Sequence, residues 1–298
     1  MDHSTITRKL ILFVIVWLAT STSLLAQWMG GQTGCYSDSI RANPNRPTVA
    51  NPADITQYGV LELESGWDRS WPRPDSVQSS VGELLKFGLL CDVELRWNST
   101  VLLSQTDVTG TRRSFGDNWL GPQVRIYRQT KRVPTLAFSY AIKIPSANEQ
   151  KGLGTGQTDH SFTFLASKEI LSFHLDFNVT HFLVGRSIRN GFDQNDQLNL
   201  AFSRPIRGGL QFTGEIYGET QLTRTMPGFA SSLWALTFQI TPRLVVDGGF
   251  EGGLSSGGPQ RRVFAGVTYS IANLYPGWRR SRPRKLVFDE GLALAPIW

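Results

Sequence analysis

The sequence predicts an all-β protein: a transmembrane, antiparallel, up-and-down β-barrel of about twelve strands. Apolar side chains alternate with polar or small ones in one segment after another, which is the two-residue period of a strand with two different faces. Tight turns alternate with longer connections rich in Gly, Ser and Pro, a rhythm typical of membrane β-barrels. No stretch approaches the roughly 18 apolar residues of a transmembrane helix. Strands are therefore the only elements expected to cross a membrane.

Residues 1–26 have the pattern of a secretory signal peptide. Arg8 and Lys9 precede a short apolar run, and small residues continue to Ala26. The run is too short to span a bilayer, so we expect cleavage near Ala26 and export of the remainder. The next residues, 27–56, are polar and rich in Gly, Asn and Pro, with no sustained period. They predict a periplasmic lead-in segment, either folded against the barrel mouth or loose.

Twelve segments with the strand period follow, and together they predict a barrel over residues 57–271. They are residues 57–68, 79–87, 93–105, 118–128, 134–144, 160–166, 171–184, 197–203, 210–221, 232–240, 244–254 and 261–271. Most are about 9–12 residues long, enough to cross a bilayer at a tilt. Their number is even, and the tight turns fall at every second connection, so both ends of the barrel should lie on the periplasmic side. A soluble β-sandwich would also alternate, but its long and short connections need not sort in this way.

The clearest of these strands covers residues 232–240. One of its faces carries only large apolar side chains, whereas the other mixes apolar and polar ones. The apolar face consists of Trp234, Leu236, Phe238 and Ile240. Such a face is suited to lipid, and the opposite face would then line the barrel interior.

The charge of the chain gives little support to nucleic-acid binding. The net charge is +6, but residues 1–26 carry +1 and the basic tail over residues 272–298 carries +3. Only +2 remains for the body of the protein. The tail is interrupted by proline and predicts a solvated end, although it could also touch anionic lipid or a partner.

The chain has two cysteines, Cys35 and Cys91. Their spacing is not of a metal-binding type, and a lone pair in an exported chain can form a disulfide. Both are predicted on the periplasmic side, so a bridge is geometrically allowed. Two unrelated small hydrophobic residues are the alternative.

The polar faces of the strands predict the residues that line the lumen. They are Glu62, Glu64, Glu94, Arg96, Arg125, Lys143, His174, Asp176, Glu215, Tyr217, Glu219, Asp247 and Glu251, with Glu83 as a further member. An excess of carboxylates would give an acid-biased pore that prefers cations or neutral solutes. The same residues could instead form a network of paired charges that fills a small barrel.

The sequence predicts no enzyme and no cofactor. His181 falls on an apolar face near the outer end of its strand, where an outer-membrane lipase would place a Ser–His pair. No matching motif surrounds it, so a structural interfacial histidine is the simpler interpretation. His160 and His174 are too few and too scattered to predict a metal site.

Several stretches resemble the "MetA-pathway of phenol degradation" family of outer-membrane proteins. The opening of that family resembles RPTVANPAD at residues 46–54, followed by QYGVLELESG at residues 57–66. The stretches LLKFGLLCDVEL, GDNWLGP, FTGEIYG and TPRLVVD fit as well, so the resemblance covers about residues 46–271. One departure is the tail of 27 residues after the last strand, because such barrels usually end in a strand with an aromatic terminus.

The resemblance implies a Gram-negative outer-membrane barrel, described as a transporter or channel and linked in some members to the degradation of aromatic compounds. It brings no catalytic residues. The implied partners are outer-membrane lipid, the barrel-assembly machinery and a small hydrophobic or aromatic solute. A structural or adhesin-like barrel without transport, or an outer-membrane lipid-modifying enzyme, are the alternatives.

Overall fold

The computed structural model describes residues 39–186, 190–223 and 227–275. The predicted signal peptide, Cys35 and the tail from residue 276 lie outside the described residues. The strands are β1 (Val60–Arg73), β2 (Ser76–Leu90), β3 (Val93–Asp107), β4 (Gly110–Ser114), β5 (Asn118–Tyr127), β6 (Thr135–Ile144), β7 (His160–Ile170), β8 (Phe173–Gly185), β9 (Phe192–Arg207), β10 (Leu210–Glu219), β11 (Phe229–Thr241), β12 (Leu244–Gly253) and β13 (Arg261–Asn273). One short 3-10 turn, Glu149–Lys151, lies in the connection between β6 and β7.

The strands form one closed antiparallel ring. Each strand of the wall pairs with its neighbours in sequence, and β1 pairs with β13 to close the barrel. The short strand β4 and the longer β5 pair with successive parts of β3, so together they form the fourth strand of the wall. The barrel therefore has twelve strands in up-and-down order, which confirms the predicted fold class.

The two faces of the wall differ as the sequence predicts. On β11, Leu233 is completely buried, whereas its outward neighbours Trp234 and Leu236 are 36% and 49% exposed. The same alternation places large apolar side chains outside and carboxylates, amides and hydroxyls inside along most of the wall. A surface of this kind is stable against lipid hydrocarbon, because its side chains are apolar and neighbouring strands pair their backbone groups around the closed sheet. Among the described residues, no helix is long and apolar enough to cross a membrane.

Some boundaries differ from those predicted. Between the predicted strands 93–105 and 118–128 the sequence predicts a loop over residues 106–115, but strand β4 forms there. Strand β9 begins at Phe192 rather than at residue 197. Between the predicted strands 160–166 and 171–184 the sequence predicts a turn over residues 168–170. The turn lies at Leu171 and Ser172 instead, so this prediction is wrong. Strand β4 and the first residues of β9 lie past the apolar band of the wall. Their backbones still pair with neighbouring strands there, but their side chains show no alternating apolar pattern.

A β-bulge changes the face of one predicted lipid-facing residue. Thr100 pairs with Gly82, but Leu102 pairs with Val81, so one extra residue lies on β3. The alternation that starts with Val93, Leu95 and Trp97 predicts an outward face for Leu103, but Leu102 points outward and Leu103 lies on the inward face. A single inserted residue reverses every later side chain, and a period of two cannot reveal it.

Candidate functional site

The N-terminal segment of residues 39–57, here called the plug segment, lies inside the barrel. Its backbone amides donate to side chains of β1, β3, β7, β8 and β10, and its side chains reach β12. One short segment can touch walls on all sides of a closed ring only from within the lumen. The sequence predicted a segment at the barrel mouth or loose, and neither alternative describes the position of residues 39–56.

The plug segment reaches the middle of the barrel at Ala50. The carboxylate of Glu215 accepts hydrogen bonds from the backbone N–H groups of Val49 and Ala50, at 2.7 Å each. Beside it, the backbone N–H of Asn51 donates to Asn178 Oδ1 at 2.7 Å, and Asn178 Nδ2 donates to the backbone carbonyl of Asn51 at 2.9 Å. Irregular backbone leaves its polar groups unpaired, and these lumen side chains supply the partners.

Lys86 on β2 is a buried cation that ties the wall to the plug segment. Its Nζ lies 2.7 Å from Glu62 and 2.6 Å from Glu64, and its side chain is completely buried. The same Nζ donates to the Asn43 carbonyl and to Asn45 Oδ1. Because a buried charge is stable only with such partners, this cluster fixes the first half of the plug segment.

The sequence analysis did not single out Lys86. A signal was available, because a lysine between Leu85 and Phe87 would be costly on the lipid face and should therefore point inward.

The Arg46 side chain lies along the inner wall, over the adjacent strands β1, β13 and β12, in a groove lined by glycine. Its guanidinium donates to the two carboxylate oxygens of Asp247, at 3.1 Å from Nε and 3.0 Å from Nη2. Gly66 and Gly266 face each other across β1 and β13 beneath it. A Cβ atom at these glycines would lie 2.1 Å and 2.2 Å from atoms of the Arg46 guanidinium. Any larger residue at either position would displace the guanidinium from its place beside Asp247.

The second half of the plug segment is held mainly by side chains of β3 and β5. Arg96 Nη2 donates to Asn51 Oδ1 at 3.1 Å, and Gln123 Nε2 donates to the Pro52 carbonyl at 2.9 Å. Three further contacts are Ala53 N–H to Ser167 Oγ, Thr56 N–H to Glu94 and Arg125 to Asp54. The segment is thus anchored by polar contacts along its length.

The structure places the residues predicted to line the lumen, apart from Glu83, on the inward sides of their strands. Nine of them are buried: Glu62, Glu64, Glu94, Lys143, Asp176, Glu215, Tyr217, Asp247 and Glu251. The others are half-buried: Arg96, Arg125, His174 and Glu219. Glu62, Glu64, Glu94, Arg96, Arg125, Glu215 and Asp247 contact the plug segment.

The remaining predicted residues contact other parts of the wall. Their partners are Tyr217 with Glu251, Glu251 with Arg262, Lys143 with Asp159, His174 with Glu169 and Asp176, and Glu219 with Asn195 and Gln197. Most of the lumen carboxylates thus have a cation, an amide or a hydroxyl beside them. The acid bias of the lumen stays a prediction.

Glu83 does not belong to this set. It lies on the outward face of β2, where it accepts a hydrogen bond from Ser65 Oγ at 2.7 Å. Lys86, three residues further on, lies on the inward face of the same strand. The prediction for Glu83 is therefore wrong, because few strong apolar residues fix the faces of this strand.

Among the described residues, two cavities of the lumen lie on opposite sides of the deepest part of the plug segment. A cavity of about 480 Å³ lies toward the short turns and is lined by His174, Ser203 and Gln211. A second cavity of about 290 Å³ lies toward the long loops and is lined by Asn98, Ser139 and other inward residues. Asn45 and Arg46 border the first cavity and Asn51 borders the second. The plug segment separates them.

His181 and Cys91 lie away from the lumen cavities. The His181 ring is on the outward face, with Nδ1 at 2.8 Å from Asp196 on the next strand. The contacts described for it include no serine hydroxyl. Cys91 lies in the turn between β2 and β3. Since Cys35 is outside the described residues, their pairing stays a prediction.

An apolar outer belt, a closed wall and a polar interior define an outer-membrane β-barrel protein of the porin-like class. A model of the family described as "Putative MetA-pathway of phenol degradation" matches residues 54–271. The chain belongs to this family.

Solved structures with a similar fold include outer-membrane channels and porins. An outer membrane channel from Pseudomonas putida superposes with a TM-score of 0.60 at 11% identity, covering 79% of this chain and 99% of the other. The NanC porin superposes with a TM-score of 0.49 at 9% identity, covering 71% of this chain and 100% of the porin. The CymD monoaromatic hydrocarbon channel superposes with a TM-score of 0.42 at 8% identity, covering 74% of this chain and 90% of that channel. No curated protein matches the sequence.

Proposed function

We propose that this protein is an outer-membrane channel for small hydrophobic or aromatic solutes, closed by its own plug segment. The observation that carries the proposal is the separation of two lumen cavities by a segment without regular secondary structure. The barrel wall around them is complete. Removal of the segment would join the cavities into one continuous path.

The contacts of the plug segment favour a removable closure. It is held mainly by hydrogen bonds and ion pairs, such as those of Ala50 with Glu215 and of Arg46 with Asp247. Water can replace such contacts on both partners when the segment leaves, whereas a large buried apolar interface would oppose its departure. The segment joins β1 at Val60, on the short-turn side. It can therefore withdraw only toward the periplasm.

Withdrawal would also change the charge balance of the lumen. Glu215 forms no ion pair among the described residues and would face water without the amides of the plug segment. Asp247 would lose the guanidinium of Arg46. The open pore would then have the predicted acid bias, which admits neutral solutes and cations more readily than anions. The family description supports an aromatic solute such as a phenol.

One observation favours the alternative of a barrel without transport. The plug segment fills the middle of the lumen, and a permanently filled barrel would serve only as structure or as a carrier of its outer loops. The two proposals differ in whether the segment ever leaves.

The test is the conductance of the mature protein in planar bilayers, first alone and then with added phenol. The matched control solute is glycerol at the same concentration. We expect discrete openings that phenol blocks and glycerol does not. A folded, heat-modifiable barrel that stays silent would overturn the channel, and equal effects of phenol and glycerol would overturn the solute class.

A further inference from the structure

Two arginines converge on Trp71 at the long-loop end of the outer wall. Arg69 and Trp71 lie two residues apart on β1 and so share a face, and Arg261 pairs directly with Trp71 on β13. The guanidinium carbons of Arg69 and Arg261 lie 5.5 Å and 4.9 Å from the centre of the Trp71 ring. These three residues are called the rim cluster.

The rim cluster faces outward. Ser70, between its two β1 members, is buried and inward, and Arg262, next to Arg261, points inward to Glu251. On the outward face, Trp67 lies below Arg69 on β1 and Val263 lies beside Arg69 on β13, and both are exposed apolar residues. The cluster thus lies where the apolar band ends, on the side of the long loops. In bacterial barrels that side meets the outer leaflet.

The arginines of the rim cluster have no acidic partner among the described residues. Arg46, Arg125 and Arg262 form ion pairs inside the barrel, but neither Arg69 nor Arg261 takes part in any. Stacking on an indole ring restrains a guanidinium while leaving its N–H groups free to donate. Two such groups close together match the fork geometry that binds a phosphate through paired hydrogen bonds.

We propose that the rim cluster binds a phosphate of the phosphorylated glycolipid of the outer leaflet, lipid A. Its headgroup phosphates lie at the boundary between water and hydrocarbon, the level at which the cluster lies. Its acyl chains would then lie along Trp67 and Val263. Charge complementarity and the adjoining apolar strip together select an acylated phosphate rather than a soluble one.

The proposal is tested by native mass spectrometry of the full mature protein in detergent, titrated with diphosphoryl lipid A or with dephosphorylated lipid A. We expect tighter binding of the diphosphoryl form. Substitution Arg69→Gln or Arg261→Gln should weaken that binding about fivefold, and the pair about 25-fold. The matched control is Arg204→Gln, because Arg204 is also exposed and lies 5.1 Å from the Phe173 ring, but at the short-turn end. Its affinity should match that of the wild type.

Each other outcome contradicts the proposal. Equal binding of the two lipids would remove the role of phosphate, and an equal loss in Arg204→Gln would show unspecific attraction. Phosphatidylglycerol that competes as well as lipid A would point to general anionic binding and overturn the lipid assignment. Heat-modifiable gel mobility checks folding. If the double variant does not fold, Trp71→Leu keeps both charges and should still reduce the preference for the diphosphoryl form, and an unchanged preference would overturn the proposal.

Discussion

Replacing Glu215 with Gln should release the plug segment, although the new side chain has the same size and shape as the old one. The carboxylate now accepts two charge-assisted hydrogen bonds from Val49 and Ala50, at 2.7 Å each. A glutamine of the same size keeps one accepting oxygen and turns an NH2 group toward the other backbone N–H. One bond is then weakened to a neutral one and the second is lost.

The expected magnitude follows from those two bonds. A hydrogen bond to a charged group contributes about 1.5–3 kcal/mol, and a neutral one about 0.5–1.5 kcal/mol. The plugged state should therefore lose about 2–4 kcal/mol relative to the open state. That shift corresponds to roughly a 30- to 1,000-fold rise in the ratio of open to closed channels.

The assay is the frequency of single-channel openings in planar bilayers. Glu219→Gln is the matched control, because Glu219 lies on the same face of β10 but is bonded to Asn195 and Gln197, outside the plug segment. We expect frequent openings in Glu215→Gln and wild-type behaviour in Glu219→Gln. Equal opening frequencies in Glu215→Gln and the wild type, with both folded, would refute the reasoning.

Three further predictions concern the glycine-lined groove around Arg46, the two cysteines and His181. Gly266→Ala places a Cβ at 2.2 Å from Arg46 Nε, so the guanidinium must shift and its ion pair with Asp247 is weakened. Openings should then rise by roughly tenfold in the same assay. An unchanged frequency would show that the groove does not hold the plug segment. Mature, denatured protein should expose no reactive thiol until reductant frees Cys35 and Cys91, and two thiols without reductant would exclude their bridge. The wild type and His181→Ala should both hydrolyse phospholipid no faster than the background of empty vesicles. Hydrolysis by the wild type that His181→Ala abolishes would establish a lipid-modifying enzyme.

The strand pattern could be predicted because lipid outside and charge inside impose a strict period of two. Trp234 and Leu236 on β11 show that period directly, and twelve such segments were enough for the fold class. The period fails where local backbone geometry changes. The bulge that turns Leu103 inward and the weak pattern around Glu83 are both of this kind.

The plug segment could not be predicted from a period, because it has none. Its position depends on backbone amides that bind distant carboxylates, such as those of Val49 and Ala50 with Glu215 on β10. The sequence shows the carboxylates but not which donors face them. Glycines such as Gly66 are likewise uninformative until Arg46 is seen against them.

The most direct test of the plugged channel is a reversible lock. In a Cys35→Ser, Cys91→Ser background, Ala53→Cys and Ser167→Cys would join the plug segment to β7, since Ala53 N–H lies 2.7 Å from Ser167 Oγ. Conductance is recorded after oxidation and again after reductant is added. We predict silence in the oxidised protein and openings after reduction. Equal conductance in the two states would contradict closure by the plug segment.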